Sequence, residues 1–419
     1  MFTADGPIAA AILIASGVIE SIKPFDYSSA APVFEAGDLP VLPGLVDTHV
    51  HINEPGRAEW EGFRTATRAA AAGGVTTLVD MPLNSIPATT SVEGLRAKIA
   101  AARNQCWVDV GFWGGVVPGN TPQIEPLVAE GVLGFKCFLT PSGVEEFPNV
   151  TEADLREALP ELARLGAVLL VHAELPAYLR GIADSPAVYR NYLNSRPRES
   201  ENQAIALMIR LSQAFGARIH IVHLSSADAL PMLRQARAEG LPVTVETCPH
   251  YLTFASEDIP DGATEFKCAP PIRERENNQR LWAALDEGVI DMVVTDHSPC
   301  PPQMKSGDFA SAWGGIASLQ LSLAIIRGAG PRPAQLVQWM STAPARLASL
   351  AHRKGAIAPG LDADLVIWNP SAPPAELHHR HKLTPYHPHG AVETTFLRGQ
   401  KIYERGSFAS APLGAILKP

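Results

Sequence analysis

The chain holds only five cysteines among 419 residues, and their pattern excludes two architectures. Cys106, Cys137, Cys248, Cys268 and Cys300 are odd in number, widely spaced and without a Cys-X-X-Cys pair, so neither a disulfide framework nor a thiolate zinc site is indicated. A reducing compartment suits them, and a cytoplasmic location is expected. No run approaches the ~20 apolar residues that a membrane helix needs, so no membrane association is expected. The apolar stretch 8–19 lacks a basic flank and is interrupted by Ser16 and Gly17, which argues against a secretory signal. There is no Lys/Arg cluster, and a net charge of -9 disfavours polyanions, so nucleic acid is not an expected partner. Internal repeats and low-complexity tracts are also absent.

What is present is a 46% hydrophobic chain, long enough for one barrel-sized domain and a smaller one. Apolar strand-like runs alternate with helix-like stretches, the order that implies a parallel sheet. The eight runs are 44–51, 75–81, 109–114, 132–139, 167–174, 217–225, 242–250 and 289–297. Eight such units in about 300 residues predict an α/β fold, a (β/α)8 TIM barrel, with its site at the C-terminal ends of the strands. Trp60, Phe63 and Thr67 at helical spacing, with Gly73-Gly74 as the stop, predict a helix over 58–72, and a second helix is expected over 316–326. Residues 1–42 and 350–419 carry short strand-like pieces separated by turn residues. Neither end can close a sheet alone, so both termini are expected to form one small β-sandwich around a barrel domain at 43–349.

Polar residues collect where these strands end. His49 and His51 alternate along the first run, which aims both rings to one side. Lys136 sits in the fourth run, His172 ends the fifth, His223 the sixth and Asp296 the eighth. His220 is placed on the opposite face from His223 by its odd spacing and read as structural. One histidine at a strand end is commonly a satisfied core residue, but four converging on one rim suggest a metal site. An ammonium in an apolar strand is costly unless paired, so Lys136 has two readings. It is either ion-paired to a carboxylate such as Asp296, or it has reacted with carbon dioxide to give a carbamate whose two oxygens bridge two metals. The neighbouring histidines favour the second. Asp296 can then bind one ion and also act as the general base that moves the proton. His378, His379, His381, His387 and His389 lie in a Pro-rich segment and are read as exposed coil rather than a metal tract.

His49, His51, Lys136, His172, His223 and Asp296, in that strand order, resemble the binuclear, carboxylated-lysine branch of the amidohydrolase superfamily. The likeness spans essentially the whole chain, the split β domain included. Within that branch, residues 44–57, 81–85, 247–251, 267–273, 296–300 and 312–316 are most similar to the allantoinases. The resemblance implies a homotetramer and two divalent metal ions, zinc or alternatively cobalt, manganese or iron, bridged by N6-carboxylated Lys136. It implies a small-molecule substrate, allantoin or a related cyclic ureide, whose hydantoin ring is opened to allantoate. A broad hydantoinase or dihydropyrimidinase is the alternative activity, and a non-catalytic scaffold is disfavoured because no ligand is missing. Where dihydroorotases place a carboxylate-binding arginine this chain has Asn53, and where hydantoinases place a tyrosine it has Thr140, Pro141 and Ser142. Asn53, Asn84, Ser298, Gly314 and Gly315 are the candidate substrate contacts. Asn at a strand end also forms turns, and Gly314-Gly315 also fits a tight turn.

Overall fold

Eight parallel strands lie where the apolar runs predicted them. In the computed structural model, which describes residues 1–3, 6–182 and 185–419, Leu45–Val50 pairs with Val75–Asp80, and that strand with Asp109–Phe112. After a break at Trp113 the third strand resumes at Gly114–Gly115, which pairs with Phe135–Phe138. Leu169–His172, Ile219–Ile221, Val243–Thr247 and Met292–Val293 follow in order. A parallel bridge between Val50 and His297, with His51 N donating to His297 O at 2.8 Å, joins the last strand to the first and closes a TIM barrel.

Strand alternation divides the core into two shells. Leu169 and Val171, Ile219 and Ile221, Val243 and Val245 pack with helix residues such as Leu155, Leu159, Ala204, Met208 and Leu281. Val79, Trp113, Leu170, Val222, Met292 and Val294 make a separate cluster that fills the barrel. Lys136 is in register with Leu170 and therefore with the interior set. The helices Glu152–Leu165 and Arg198–Phe215 show why the connections are short. The first starts on a capping box between Thr151 and Asp154, and each stops at a left-handed glycine, Gly166 and Gly216. Among the described residues no helix is long and apolar enough to cross a membrane. All five cysteines are free and buried.

The second body is the expected small β-sandwich. Val41–Pro43 pairs with Leu365–Asn369, which continues through Ala391–Leu397, Gln400–Glu404 and Ser407–Phe408 in one antiparallel sheet. The hairpin of Ala10–Ala15 and Val18–Pro24 faces it, and Ile19, Ile357, Ala363 and Leu365 form the core between them. Lys354 couples this body to the barrel. Its Nζ lies 2.7 Å from Asp109 on the third barrel strand and 2.7 Å from Asp364, while Arg398 also pairs with Asp109. Asp109, Asp362 and Asp364 come close enough to hold a cation, and the Lys354 ammonium already serves as one.

Two helices start later than the sequence spacing predicts. The first runs Phe63–Gly73, not 58–72, because Gly62 has φ 127°, which no helix accommodates, and Glu54 accepts a 2.8 Å bond from Phe63 N. The second is Ser322–Gly328, not 316–326. Here Ser318 N donates to His297 Nδ1 at 3.1 Å and Ser298 N donates to Ile316 O at 3.1 Å, so residues 316–319 run beside the eighth strand instead of coiling.

Candidate metal centre and active site

The first barrel strand delivers His49 and His51 with ring centroids 5.5 Å apart. Asp296, just past the eighth strand, brings one oxygen between them: Oδ1 lies 3.1 Å from His49 Nε2 and 3.4 Å from His51 Nε2. Ligand atoms of the three residues all fall within 4.8 Å of one another, a spacing compatible with bonds of ~2 Å to one cation. On the other side, the His223 ring lies 5.4 Å from His49 and 4.6 Å from His172, so the four imidazoles form one continuous series. The His172 ring stacks on Phe138 at 4.6 Å.

Lys136 lies beside this series and is 1% exposed. Its Nζ has no hydrogen-bond partner and stands 4.9 Å over the Phe138 ring. The ion pair with Asp296 that the sequence left open is not formed. Burial pulls its pKa down to about 8, against the pull of Glu246 and Asp296. A buried, unpartnered ammonium is among the least favourable groups a core can hold, so this position is built for something the side chain alone does not supply.

Electrostatics separate the histidines. Burial opposes charge on His49, but Asp296 and Glu246 outweigh it and raise its pKa to about 9. Burial keeps His51, His172 and His223 below the usual imidazole range, the neutral form that binds metals. Burial also disfavours the charged form of Asp296, yet His49 and His51 hold its carboxyl well below its ordinary value.

Three carboxylate and guanidinium groups behind the histidines escaped the sequence reading. Glu246, fully buried on the seventh strand, takes His49 Nδ1 at 2.5 Å on one oxygen and His220 Nε2 at 2.9 Å on the other. It also accepts the backbone N–H of His223 at 3.2 Å. Glu174 Oε2 lies 2.7 Å from His172 Nε2 and is itself held by Arg196. The signal for Glu246 was available: a carboxylate inside a buried strand needs partners.

The odd-spacing argument about His220 fails. His223 has φ 40°, a left-handed turn that breaks strand alternation, so His220 and His223 both point inward, with His220 bonded to Glu246 below the rim. His250 is buried with neither ring nitrogen bonded. The His-rich segment is coil but not free of the barrel. His379 is 2% exposed, His381 Nε2 bonds Glu59 O at 2.7 Å, and Arg380 N donates to Glu61 at 3.1 Å; of the five histidines only His387 and His389 are exposed.

The histidines and Asp296 lie at one end of a cavity of about 560 Å³. Asn84, Ser298, Gly314 and Gly315 are on its wall, but Asn53 is not. Asn53 is fully buried and accepts a 2.9 Å bond from Asn84 Nδ2, while Arg57 Nη1 donates to Asn84 O at 2.5 Å. A Cβ on Gly315 would fall 2.5 Å from Ser298 O, so only glycine lets these two segments touch, whereas Gly314 has open space toward the cavity. In the loop that replaces the hydantoinase tyrosine, Ser142 Oγ is spent on Phe147 O at 2.6 Å.

Comparison with known proteins agrees with this geometry. Residues 41–402 match the model of the amidohydrolase family. The chain is 49% identical to an allantoinase of Streptomyces avermitilis, covering 100% of this chain and 96% of that one. It is 50% identical to an allantoinase of Saccharomyces cerevisiae over 90% of this chain and 86% of the other, and 43% identical to one of Arabidopsis thaliana over 99% and 88%. Among solved structures it is similar to the L-hydantoinase of Arthrobacter aurescens, with a TM-score of 0.95 at 30% identity, covering 100% of this chain and 98% of that one. The dihydropyrimidinase of Brevibacillus agri follows at a TM-score of 0.89 and 28% identity, covering 100% and 96%. The chain belongs to the amidohydrolase family, in the group of the allantoinases.

Proposed function

We propose that this chain opens the hydantoin ring of allantoin to give allantoate, using two divalent metal ions bridged by carboxylated Lys136. The observation that carries the reading is the unpartnered Lys136 Nζ beside four inward histidines and Asp296. In its neutral form the amine adds to carbon dioxide, one proton leaves, and the carbamate anion replaces a badly placed cation with two oxygen ligands. His49, His51 and Asp296 would hold one ion, His172 and His223 the other, and the carbamate both. Bound there, the ions supply Lewis acidity that polarises an amide carbonyl and acidifies water, and zinc fits this nitrogen-and-oxygen donor set.

The chain's own residues do the rest. Asp296, with its Oδ1 fixed near His49 and His51, takes the proton from the attacking water and returns it to the ring nitrogen as the amide bond breaks. Glu246 and Glu174 hold His49 and His172 in place. Asn84 Oδ1, on a residue clamped by Asn53 and Arg57, together with the backbone of Gly314 and the carbonyl of Gly315, offers hydrogen bonds to the amide and ureido groups of the substrate. Ser298 lies on the same wall.

Asn53 stands at the position where the dihydroorotase pattern has its carboxylate-binding arginine, and of the arginines on the cavity wall Arg196 is already paired with Glu174, which favours a neutral cyclic ureide. A homotetramer in the cytoplasm is the assembly and location we propose. The test is steady-state ring opening of allantoin by protein loaded with zinc in the presence of bicarbonate. Turnover that depends on both the metal and Lys136 supports the reading, and metal-loaded protein inert toward allantoin overturns it.

A further inference from the structure

Beyond its metal-binding end, the segment that contributes most residues to the cavity wall is 304–315, which follows the eighth barrel strand and brings Met304, Phe309, Trp313 and Gly315 among others. Apart from a turn of 3-10 helix at Pro302–Lys305, this segment has no regular structure to hold it. Its position depends on bonds to residues elsewhere. Lys267, in the segment that follows the seventh strand, makes four of them, beside those of Thr264 and Pro186. Its Nζ donates to Ala312 O at 2.5 Å and to Ala310 O at 3.3 Å. Its own carbonyl accepts from Gly315 N at 2.8 Å and from Lys305 Nζ at 3.1 Å. Its ammonium stands 5.5 Å over the Tyr192 ring, which limits where it can swing.

Four bonds thus run between one residue and both ends of the wall. Ammonium-to-carbonyl bonds are stronger than neutral ones, and two of them end on Ala310 and Ala312, two residues apart in an otherwise irregular loop. If the ring carbonyl of a cyclic ureide sits at the metal-binding end, the substituent on the ring extends toward the rest of the wall, of which segment 304–315 is the largest single part. We infer that Lys267 is a positioning residue that fixes this segment over the cavity and thereby sets how tightly the arm of a substituted ring is held. This rests on the cyclic-ureide reading given above.

The experiment uses metal-loaded enzyme with Lys267→Met, which keeps the apolar stem, and Lys267→Arg, which keeps the charged donor. Hydrogen–deuterium exchange of peptides covering 304–315 is measured beside steady-state kinetics on allantoin and metal content. In Lys267→Met, exchange in that segment should accelerate, KM should rise about tenfold and kcat should stay within about threefold, with metal content unchanged. Lys267→Arg should bring exchange and KM back toward wild type. Should Lys267→Met fail to fold, Lys267→Gln, which retains one short donor, should give the same changes at smaller amplitude. Unchanged exchange in 304–315 overturns the inference, whether KM rises through a direct substrate contact or stays the same. Wild-type protein that does not turn over allantoin counts against the proposed function alone, because the exchange measurement judges Lys267 separately.

Discussion

His49 Nδ1 lies 2.5 Å from Glu246 Oε1, and the other oxygen of that carboxylate lies 2.9 Å from His220 Nε2. Glu246 therefore holds a proton on His49 Nδ1 and leaves Nε2, the atom 3.1 Å from Asp296, as the one that would bind a metal in exchange for its proton. The seventh strand, which contributes no residue to the proposed ligand set, acts through this one side chain.

Glu246→Gln should weaken metal binding about 10- to 100-fold, the usual cost of losing such a partner. An amide can accept from one imidazole but turns an N–H toward the other. Metal per chain after equilibration with a graded chelator reads this directly. Equal retention by variant and wild type would show that Glu246 serves only packing.

Lys136→Ala should lose metal and turnover together, because the variant has no amine to carboxylate. Added short carboxylates such as acetate or propionate should restore part of both by filling the space left behind. Metal analysis and activity at increasing carboxylate concentration make the check. A variant with two metals per chain and full turnover excludes the carbamate bridge.

Asp296→Asn should separate ligand from base. An amide cannot take the proton, so turnover should fall by roughly 10²- to 10⁴-fold while most of the metal stays bound. Near-normal kcat in this variant removes Asp296 from the proton transfer.

Lys354→Met tests the joint between the two bodies. It leaves Asp109 and Asp364, both buried, without the ammonium now 2.7 Å from each. Breaking a buried pair from one side costs about 3–5 kcal/mol, which denaturant unfolding would show as a lower midpoint. A loss below about 1 kcal/mol would mean that Arg398 alone satisfies Asp109.

The barrel was legible because its strands are buried on both faces and so read as near-continuous apolar runs. The six residues proposed to hold metal stood out for the same reason: each is polar within or at the end of such a run, and the structure brings all six to one end of the barrel. Departures from regular backbone were not legible. His223 at φ 40° defeats the alternation that placed His220 on the far face, and Gly62 at φ 127° delays the first helix. Glu246 could be noticed as a carboxylate inside a buried strand, but its partners, His49 and His220, could not be named because they come from two other strands, 197 and 26 residues away. Asn53 looked like a substrate contact from its place after the histidine pair, yet its amide is turned onto Asn84. The coil from His378 to His381 looked exposed because its binding surface, the loop at Glu59 and Glu61, lies more than 300 residues earlier in the chain.

The most direct measurement is kcat/KM of metal-loaded protein on allantoin, unsubstituted hydantoin and dihydroorotate under one set of conditions. A site lined by Asn84 and glycine backbone penalises a ring that lacks the ureido arm, and one with Asn53 in place of the dihydroorotases' arginine lacks that partner for dihydroorotate's carboxylate. Efficient hydrolysis of allantoin, slow or absent hydrolysis of hydantoin and none of dihydroorotate is the expected result. Comparable kcat/KM on hydantoin and allantoin would make this chain a broad hydantoinase instead, and turnover of dihydroorotate alone would contradict the assignment altogether.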